Sequence, residues 1–486
     1  MKVSQLSRNL FSGLLLAFFL FPYVSFLKFF NWNISISGSE LVWVLKNSFL
    51  QAFTAAGICV VLGFYFSLGL FQLPEKSRSI VARLVLIPQI LPTLFSILIA
   101  FSILNPFPVG HIGVIFIFVL VNLGFSVYQI TQAVQNKMGQ LALISEIYGL
   151  KKSIFRRRIL IPIIWPDLRL NFLFVFLFCF SSLSVPLVAG GGKGTNLEVL
   201  IYEKIFIEQN WDSAWLLMLL QTLLVFCISY FLLKTRTYAQ RDFRSHSYYN
   251  SRLAAVGLGV YIFGYLGYYL FSVIDAGAGL DDVLLYRQDI LNATINSFVV
   301  LAGVTATCFL LLMLWISDYA QGLRHNIVVH FISVSTVMVG FAFYIFLPLS
   351  KRSDLIKIPL AFALLFFPIL FRIFFAKRIE QLRSQIIAAK VFAVPLSRIA
   401  FDIVLKQLLK PLFFAAVLLM IWSLSDFAIS RSVGTQSQTL GLISENFLTS
   451  YRLDAAFLIS FYILLIWIFL TTALHFIFKG FYGANK

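Results

Sequence analysis

The chain has 486 residues, of which 60% are hydrophobic and 12% charged, and its formal net charge is +18. A soluble domain carries roughly a quarter of charged residues, so this composition excludes an ordinary soluble protein. The apolar runs are about 20 residues long and do not alternate, which excludes a transmembrane β-barrel. The surplus of lysine and arginine is typical of cytoplasmic loops, and it indicates no nucleic-acid partner.

These runs predict an all-α integral membrane protein with about 12 transmembrane helices in two six-helix repeats. The first run is too long for a signal peptide and has no small-residue cleavage site after it, so we expect a retained helix. The predicted spans lie near residues 10–30, 49–71, 84–104, 112–133, 168–189, 213–233, 253–274, 293–316, 327–348, 356–376, 412–431 and 456–478.

The basic residues are concentrated in alternate loops, which predicts the orientation of the chain. Lysine and arginine follow the second, fourth, sixth and tenth spans, and the acidic loop at 275–289 falls on the opposite side. We therefore expect both termini on the cytoplasmic side of the membrane. One loop departs from this pattern, because Lys351, Arg352 and Lys357 fall on the outer side.

A polar segment at 236–252 is expected to be a cytoplasmic linker between two six-span halves, 1–235 and 253–486. The halves share motifs: Asn47-Ser48-Phe49 recurs as Asn296-Ser297-Phe298, about 249 positions later. A second set recurs with a shift of 242: Ile201, Glu203, Asp212 and Ala214 return as Ile443, Glu445, Asp454 and Ala456. Six spans per half give both halves one orientation, so we expect an axis along the membrane normal and a pathway between the halves.

A long basic loop precedes the fifth span of each half. In the first loop, Ser145 and Glu146 precede Gly149, and Pro162 follows thirteen residues after that glycine. A glycine after a helix permits a sharp reversal, and a proline is tolerated in the first turn of the next helix. The pattern predicts a helix–turn–helix along the cytoplasmic surface, although composition alone fits a merely basic loop equally well.

The second loop contains Ala388 and Ala389, then Ala393 where the first loop has its glycine, then Pro395. The first loop has the glycine but not the two alanines, and the second loop has the two alanines but not the glycine. Both loops nevertheless precede the fifth span of their half. The pair is therefore predicted to be two equivalent docking sites.

The order of small residues, glycine and proline resembles the cytoplasmic loop of ABC-importer permeases, although Leu143 and Ile387 stand where that family prefers glutamate. A chain of two fused halves further resembles the thiamine permeases and the related ferric-iron permeases. The stretches that are similar to the thiamine permeases are Phe178-Cys179-Phe180-Ser181-Ser182, Gly190-Gly191-Gly192, Thr195-Asn196-Leu197-Glu198, Leu424-Ser425-Asp426-Phe427 and Ser450-Tyr451-Arg452.

This resemblance implies a permease of the type I importer fold that takes up thiamine, a thiamine phosphate or, alternatively, ferric iron. It implies no catalytic residue and no cofactor, since ATP hydrolysis belongs to a separate subunit. The implied partners are two copies of an ABC ATPase on the two loops, an extracytoplasmic substrate-binding protein, and membrane lipid.

Asp426 is predicted to lie at membrane depth, where an ionisable residue costs about 2.5–3.5 kcal/mol to insert and marks a functional candidate. It is a candidate for holding a cationic substrate; a structural acid paired with a neighbouring helix or with Arg431 is equally compatible. Ser184 occupies the equivalent place in the first half, and Ser182 precedes it. These hydroxyls either line a polar pathway or bond backbone carbonyls.

Other site chemistries find little support. The four cysteines lie in apolar spans and the five histidines are scattered, so no metal centre is predicted. The stretch at 190–195 resembles a phosphate loop, but Gly194 follows Lys193 where a phosphate loop needs serine or threonine. An ion-gradient-driven secondary transporter remains the alternative of another class, although such a carrier needs no pair of docking loops.

Overall fold

The computed structural model describes residues 2–27, 30–91, 93–104, 106–232, 251–320, 335–347, 350–395, 398–433, 436–450 and 452–483. Most of the predicted linker 236–252 and much of the predicted span 327–348 lie outside these residues, as does Tyr451.

Helices account for the regular structure of the described residues. In the N-terminal part they are α1 Lys2–Leu27, α2 Gly38–Leu70, α3 Glu75–Leu84, α4 Ile87–Ile90, α5 Thr93–Ile103, α6 His111–Ile147, α7 Lys152–Phe155, α8 Ile161–Phe180, α9 Ser184–Ala189, α10 Leu197–Tyr202 and α11 Trp211–Leu232. The C-terminal part contains α12 Arg252–Asp275, α13 Leu280–Leu285, α14 Arg287–Ala320, α15 Thr336–Phe346, α16 Lys351–Leu370, α17 Ala376–Gln381, α18 Arg383–Val391, α19 Lys406–Ser425, α20 Ala428–Ser432, α21 Leu440–Thr449 and α22 Leu453–Gly483. Four π-helical segments extend these helices: Arg156–Leu160, Glu203–Ile207, Phe371–Phe375 and Ile399–Leu405.

The predicted all-α membrane class is confirmed. Within the described residues, eight helices are long and apolar enough to cross a membrane, or nine if the bent pair Ile399–Leu409 and Pro411–Ser425 is one span. Each of the twelve predicted spans overlaps a helix. The third span is divided among α3, α4 and α5, because the chain has prolines at 88 and 92, and a proline removes a helical hydrogen bond and clashes with the preceding turn.

The described residues divide into two compact units. The first unit comprises Met1–Ser35, Ile201–Phe226 and Gly279–Lys486. Within it, α1 packs on α14 and α15 through aromatic rings: Phe21 lies 4.8 Å from Phe343, and Phe26 lies 5.8 Å from Phe341, between ring centroids. An N-terminal helix is thus part of the core formed by the C-terminal helices.

The second unit comprises Ile36–Leu200 and Cys227–Ala278. Its centre is α2 packed against α6 and α8, and α12 lies along α2. The Tyr261 hydroxyl donates to the Leu120 carbonyl at 2.9 Å, and the Tyr265 hydroxyl bonds Ser96 at 2.9 Å. Each compact unit therefore contains helices from both sequence repeats. The boundaries of the two halves at 235 and 253 describe the sequence repeat, and they remain a prediction.

The contact between α2 and α12 depends on Gly69. A Cβ at this position would lie 2.5 Å from the backbone nitrogen of Ala255 and 2.6 Å from the carbonyl carbon of Ala254. We expect Gly69→Ala to lower the free energy of unfolding by about 1–3 kcal/mol, because the two helices must separate. Thermal unfolding of the purified protein in detergent measures this.

Gly57 on the same helix is the matched control, since a Cβ there meets no atom within 4 Å. Gly57→Ala should stabilise the helix by about 0.5–1 kcal/mol. Equal melting temperatures for the two variants would contradict the close approach at Gly69.

Candidate functional site

The first loop, residues 148–160, begins with a left-handed turn at Gly149. Helix α6 ends at Ile147, and Gly149 has a φ of +62°. The Leu150 N–H donates to the Ser145 carbonyl at 3.0 Å, which is the long hydrogen bond of a Schellman helix end. Gly149 therefore lies at the predicted reversal, and the conformation that it adopts is the one that favours glycine.

The second loop, residues 392–405, contains the same turn built around an alanine. Ala393 has a φ of +53°, its N–H donates to Lys390, and the Val394 N–H donates to the Ala389 carbonyl, each at 3.0 Å. A left-handed alanine costs roughly 1–2 kcal/mol. The two loops thus share one backbone geometry although only one of them retains the glycine.

The remaining loop residues named from the sequence lie beside these turns. Pro162 follows the π-helical segment Arg156–Leu160 directly, so it lies within a continuous helical run from Lys152 to Phe180 rather than at a free helix start. Pro395 is exposed, and its carbonyl accepts the Ile399 N–H at 3.1 Å. Ala388 is exposed on α18, and Glu146 lies in the last turn of α6 with its side chain outside the described part.

Each loop is anchored to the helices beneath it by two apolar side chains. Phe155 and Leu160 of the first loop are fully buried, and at the corresponding positions of the second loop so are Ile399 and Val404. The first pair belongs to a core cluster of Leu68, Phe71, Ile130, Val134, Phe155, Leu160, Ile164 and Leu168. Close-packed interiors transmit strain, so a displacement of the first loop would be transmitted through this cluster to α2, α6 and α8.

A pair of large apolar side chains is exposed immediately before each turn. Ile147 and Tyr148 are 73% and 79% exposed, and Val391 and Phe392 are 76% and 80% exposed. Adjacent exposed apolar side chains that lipid does not cover are candidates for contact with another protein. Sequence reasoning missed these four residues; the signal was an apolar pair directly preceding the turn residue in both loops.

At its end remote from the loop, α8 breaks and the chain returns towards α2. We name residues 181–196 the first return segment. The Asn196 amide donates to the Ser182 carbonyl at 2.8 Å, and its oxygen accepts the Val199 N–H at 3.0 Å. Ser182 thus acts here through its backbone, and Ser184 is buried at the start of α9.

The second return segment, residues 426–439, follows the same break after α19. Asp426 is half-buried and extended, and its Oδ2 accepts the Ile429 N–H at 2.8 Å, so the carboxylate caps α20. Arg431 forms its ion pair with Glu445 rather than with Asp426. The Asp426 carboxylate therefore serves as a helix cap.

The Asn–Ser motif of the repeat ties each return segment to the second helix of its half. In the second unit, the Asn47 amide donates to the Thr195 carbonyl at 3.1 Å, and Ser48 Oγ accepts the Leu197 N–H at 2.8 Å. Gln51, one turn further along α2, donates to the Gly194 carbonyl at 2.9 Å.

In the first unit, the Asn296 amide donates to the Gln438 carbonyl at 2.9 Å. Ser297 Oγ accepts the Leu440 N–H, also at 2.9 Å. Both units therefore use the asparagine as a donor to the residue before the helix cap and the serine as an acceptor at the first helical N–H.

One of the three basic residues that departed from the loop pattern, Lys357, also belongs to this region. Lys357 lies within α16 and is fully buried, with Nζ 3.7 Å from Oδ1 of the equally buried Asp354. Asp354 Oδ2 accepts the N–H groups of Gln436 and Ser437 at 2.6 and 3.2 Å. Lys357 is therefore part of the packed interior rather than of a basic loop.

The described residues contain no group of three or more His, Cys, Asp or Glu side chains that could hold a metal ion. Cys59, Cys179 and Cys308 are buried, as predicted for small apolar side chains, whereas Cys227 is exposed on α11.

The shared turn predicts opposite effects for two matched substitutions. Ala393→Gly should raise the free energy of unfolding by about 1 kcal/mol, since glycine adopts the left-handed region without strain, and Gly149→Ala should lower it by about as much. A Cβ at Gly149 meets no atom within 4 Å, so the second effect is conformational rather than steric. Thermal unfolding in detergent measures both.

Ala388→Gly is the control, because the same substitution in the exposed helical part of α18 should destabilise by about 0.5–1 kcal/mol. If Ala393→Gly destabilised the protein as Ala388→Gly does, the left-handed turn of the second loop would be wrong.

Comparison with known proteins supports the resemblance that the sequence motifs indicate. No protein-family model and no solved structure matches the chain. The thiamine transport system permease protein ThiP of Escherichia coli is 26% identical over 231 residues, which cover 42% of this chain and 41% of that protein. The proteins of the same name from Salmonella typhimurium and Haemophilus influenzae are each 25% identical, over 230 and 224 residues.

These matches span about two fifths of the length of the curated relatives, 41% in each case. They confirm the resemblance that the loops and the return-segment motifs predicted: the chain is similar to bacterial thiamine transport permeases.

Proposed function

We propose that the chain is the transmembrane permease subunit of an ATP-driven, binding-protein-dependent importer in a bacterial inner membrane. The observation that carries this proposal is the pair of loops with the same left-handed turn, the same exposed apolar pair and the same buried anchor. A partner with two equivalent subunits, such as an ATPase dimer, presents two equivalent surfaces. The similarity to thiamine transport permeases supports the same function.

In this proposal the permease performs no chemistry. Two copies of a separate ABC ATPase bind the two loops through the exposed apolar pairs, and an extracytoplasmic binding protein delivers the substrate. Movement of an ATPase subunit displaces the loop bound to it. The buried anchors then pass the displacement to the transmembrane helices, since a packed core does not absorb it.

The proposed substrate is thiamine or a thiamine phosphate, with ferric iron as the alternative. Both return segments follow a broken helix, and broken membrane helices with unwound backbone form the substrate sites of many transporters. Ser182, Ser184 and Asp426 lie at these breaks. We propose that they line the pathway, with the Asp426 carboxylate as the group that attracts a cationic substrate.

The docking role predicts a loss of affinity when the exposed aromatic side chains are truncated. Tyr148→Ala or Phe392→Ala should each weaken binding of the ATPase by about tenfold, since truncation of a central aromatic contact costs about 1–2 kcal/mol. Titration of the permease in nanodiscs with its purified ATPase measures the dissociation constant.

Tyr148→Phe retains the aromatic ring and should bind the ATPase with the same dissociation constant as the permease without substitutions. An ATPase that binds the alanine variants with unchanged affinity would rule out docking at these turns. Uptake that persists after ATP depletion and requires an ion gradient would favour the secondary transporter instead.

The two roles of Asp426 can be separated by substitution. Asparagine caps a helix nearly as well as aspartate, so Asp426→Asn should keep the melting temperature while removing the charge. We expect it to lower thiamine uptake into proteoliposomes by about tenfold, the change that corresponds to roughly 1.4 kcal/mol of lost attraction.

Asp426→Ala removes both the cap and the charge, and should lower uptake and stability together. If Asp426→Asn transported thiamine normally and only Asp426→Ala failed, the carboxylate would be a helix cap alone. Uptake of ferric iron but not thiamine by the unchanged protein would select the alternative substrate.

A further inference from the structure

The Asn–Ser motif lies on two long helices. Helix α2 has 33 residues and α14 has 34, and neither contains a proline. The fifth helices of the two halves differ in this respect, because α8 contains Pro166 and α19 contains Pro411. Prolines are sites of kinks, so in each half the second helix, α2 or α14, is stiffer than the fifth helix, α8 or α19.

One end of α2 is fixed to the first return segment by buried hydrogen bonds. Asn47, Ser48 and Gln51 are all almost completely buried, and together they bind carbonyl and N–H groups at 194–197. Removing the serine oxygen would leave the Leu197 N–H buried without this acceptor, which is unfavourable. The return segment therefore moves with α2 rather than independently of it.

The other end of α2 is part of the anchor of the first loop. Leu68 lies in the apolar cluster that holds Phe155 and Leu160, and Phe71, just past the helix end, lies there too. From Ser48 to Leu68 the helix rises by roughly 30 Å, at about 1.5 Å for each residue. A single helix thus contacts both the docking loop and the return segment of the second unit.

Helix α14 repeats this arrangement in the first unit. Near its beginning, Asn296 and Ser297 bind the second return segment. Towards its end the ring of Trp315 lies 4.2 Å from that of Phe371, and α14 packs against the π-helical segment Ile399–Leu405 that contains the second anchor. The recurrence in a second unit of different sequence indicates that the arrangement is a property of the repeat.

We propose that α2 and α14 are coupling rods, and that Asn47, Ser48, Asn296 and Ser297 are the positioning residues that join each rod to its return segment. Displacement of a docking loop shifts the apolar anchor, the rod carries the shift, and the Asn–Ser pair moves the return segment at the break of the fifth helix. The proposal rests on the function proposed above, and it assigns the opening of the pathway to the second helices rather than to the proline-containing fifth helices.

The test uses the full permease in proteoliposomes with its ATPase and binding protein, and it measures thiamine molecules imported for each ATP hydrolysed. Ser48→Ala and Ser297→Ala should each lower this ratio by about fivefold, the effect of one lost buried hydrogen bond on an equilibrium. ATPase affinity and ATP hydrolysis should remain. Ser48→Thr retains the hydroxyl and should restore the ratio.

Ser67→Ala is the matched control, because Ser67 is a buried serine of α2 whose Oγ donates to Phe64 of the same helix at 2.7 Å. It should leave the ratio unchanged. Amide hydrogen exchange of the peptide that contains Leu197 provides a second measurement, independent of transport, and should be faster in Ser48→Ala than in Ser67→Ala.

An unchanged ratio in Ser48→Ala and Ser297→Ala, with faster exchange at Leu197, would overturn the coupling rods and leave the importer intact. An equal fall with Ser67→Ala would also overturn them, since it would show general destabilisation of α2. If the permease without any substitution bound no ATPase, the proposed importer function itself would be overturned. The test therefore distinguishes failure of the coupling rods from failure of the importer function.

Discussion

Every break in a membrane helix frees backbone N–H and carbonyl groups that lipid cannot satisfy, and this protein has a break after the fifth helix of each half. The freed groups are bound by side chains from inside the same unit. Asn47 and Ser48 bind the first return segment, while Asn296 and Ser297 bind the second. Because these partners lie on a second helix, the position of each return segment depends on the position of that helix.

The same constraint explains why the two halves remain similar in structure after their sequences have diverged. A left-handed turn needs only its backbone hydrogen bonds, and Ala393 retains them at some cost in strain. An anchor needs only a buried apolar side chain, so Phe155 and Ile399 fill equivalent places with different volumes. Hydrogen-bonding side chains with a fixed reach are less replaceable, and the Asn–Ser pair recurs unchanged.

Much of the fold could be predicted from the sequence because lipid imposes strong rules on helix length and polarity. The all-α class followed from apolar runs, and the turn at Gly149 from one glycine after a helix. The pairing of α1 with α14 and α15 could not be predicted, since helices of uniformly apolar composition carry no signal of their neighbours. The sequence predicts a basic loop around Lys357, because the ion pair of Lys357 with Asp354 is visible only in three dimensions. It offers the Asp426 carboxylate as a substrate ligand or an ion-pair partner, whereas the hydrogen bond to the Ile429 N–H depends on the local backbone.

The two loops are proposed to be equivalent docking sites for the two subunits of an ATPase. An electron cryo-microscopy map of the permease purified with its ATPase tests this most directly. We expect one ATPase subunit in contact with Tyr148 and a second in contact with Phe392, each against the apolar pair before the turn. A complex with an ATPase at only one loop, or with contacts that avoid both turns, would contradict it.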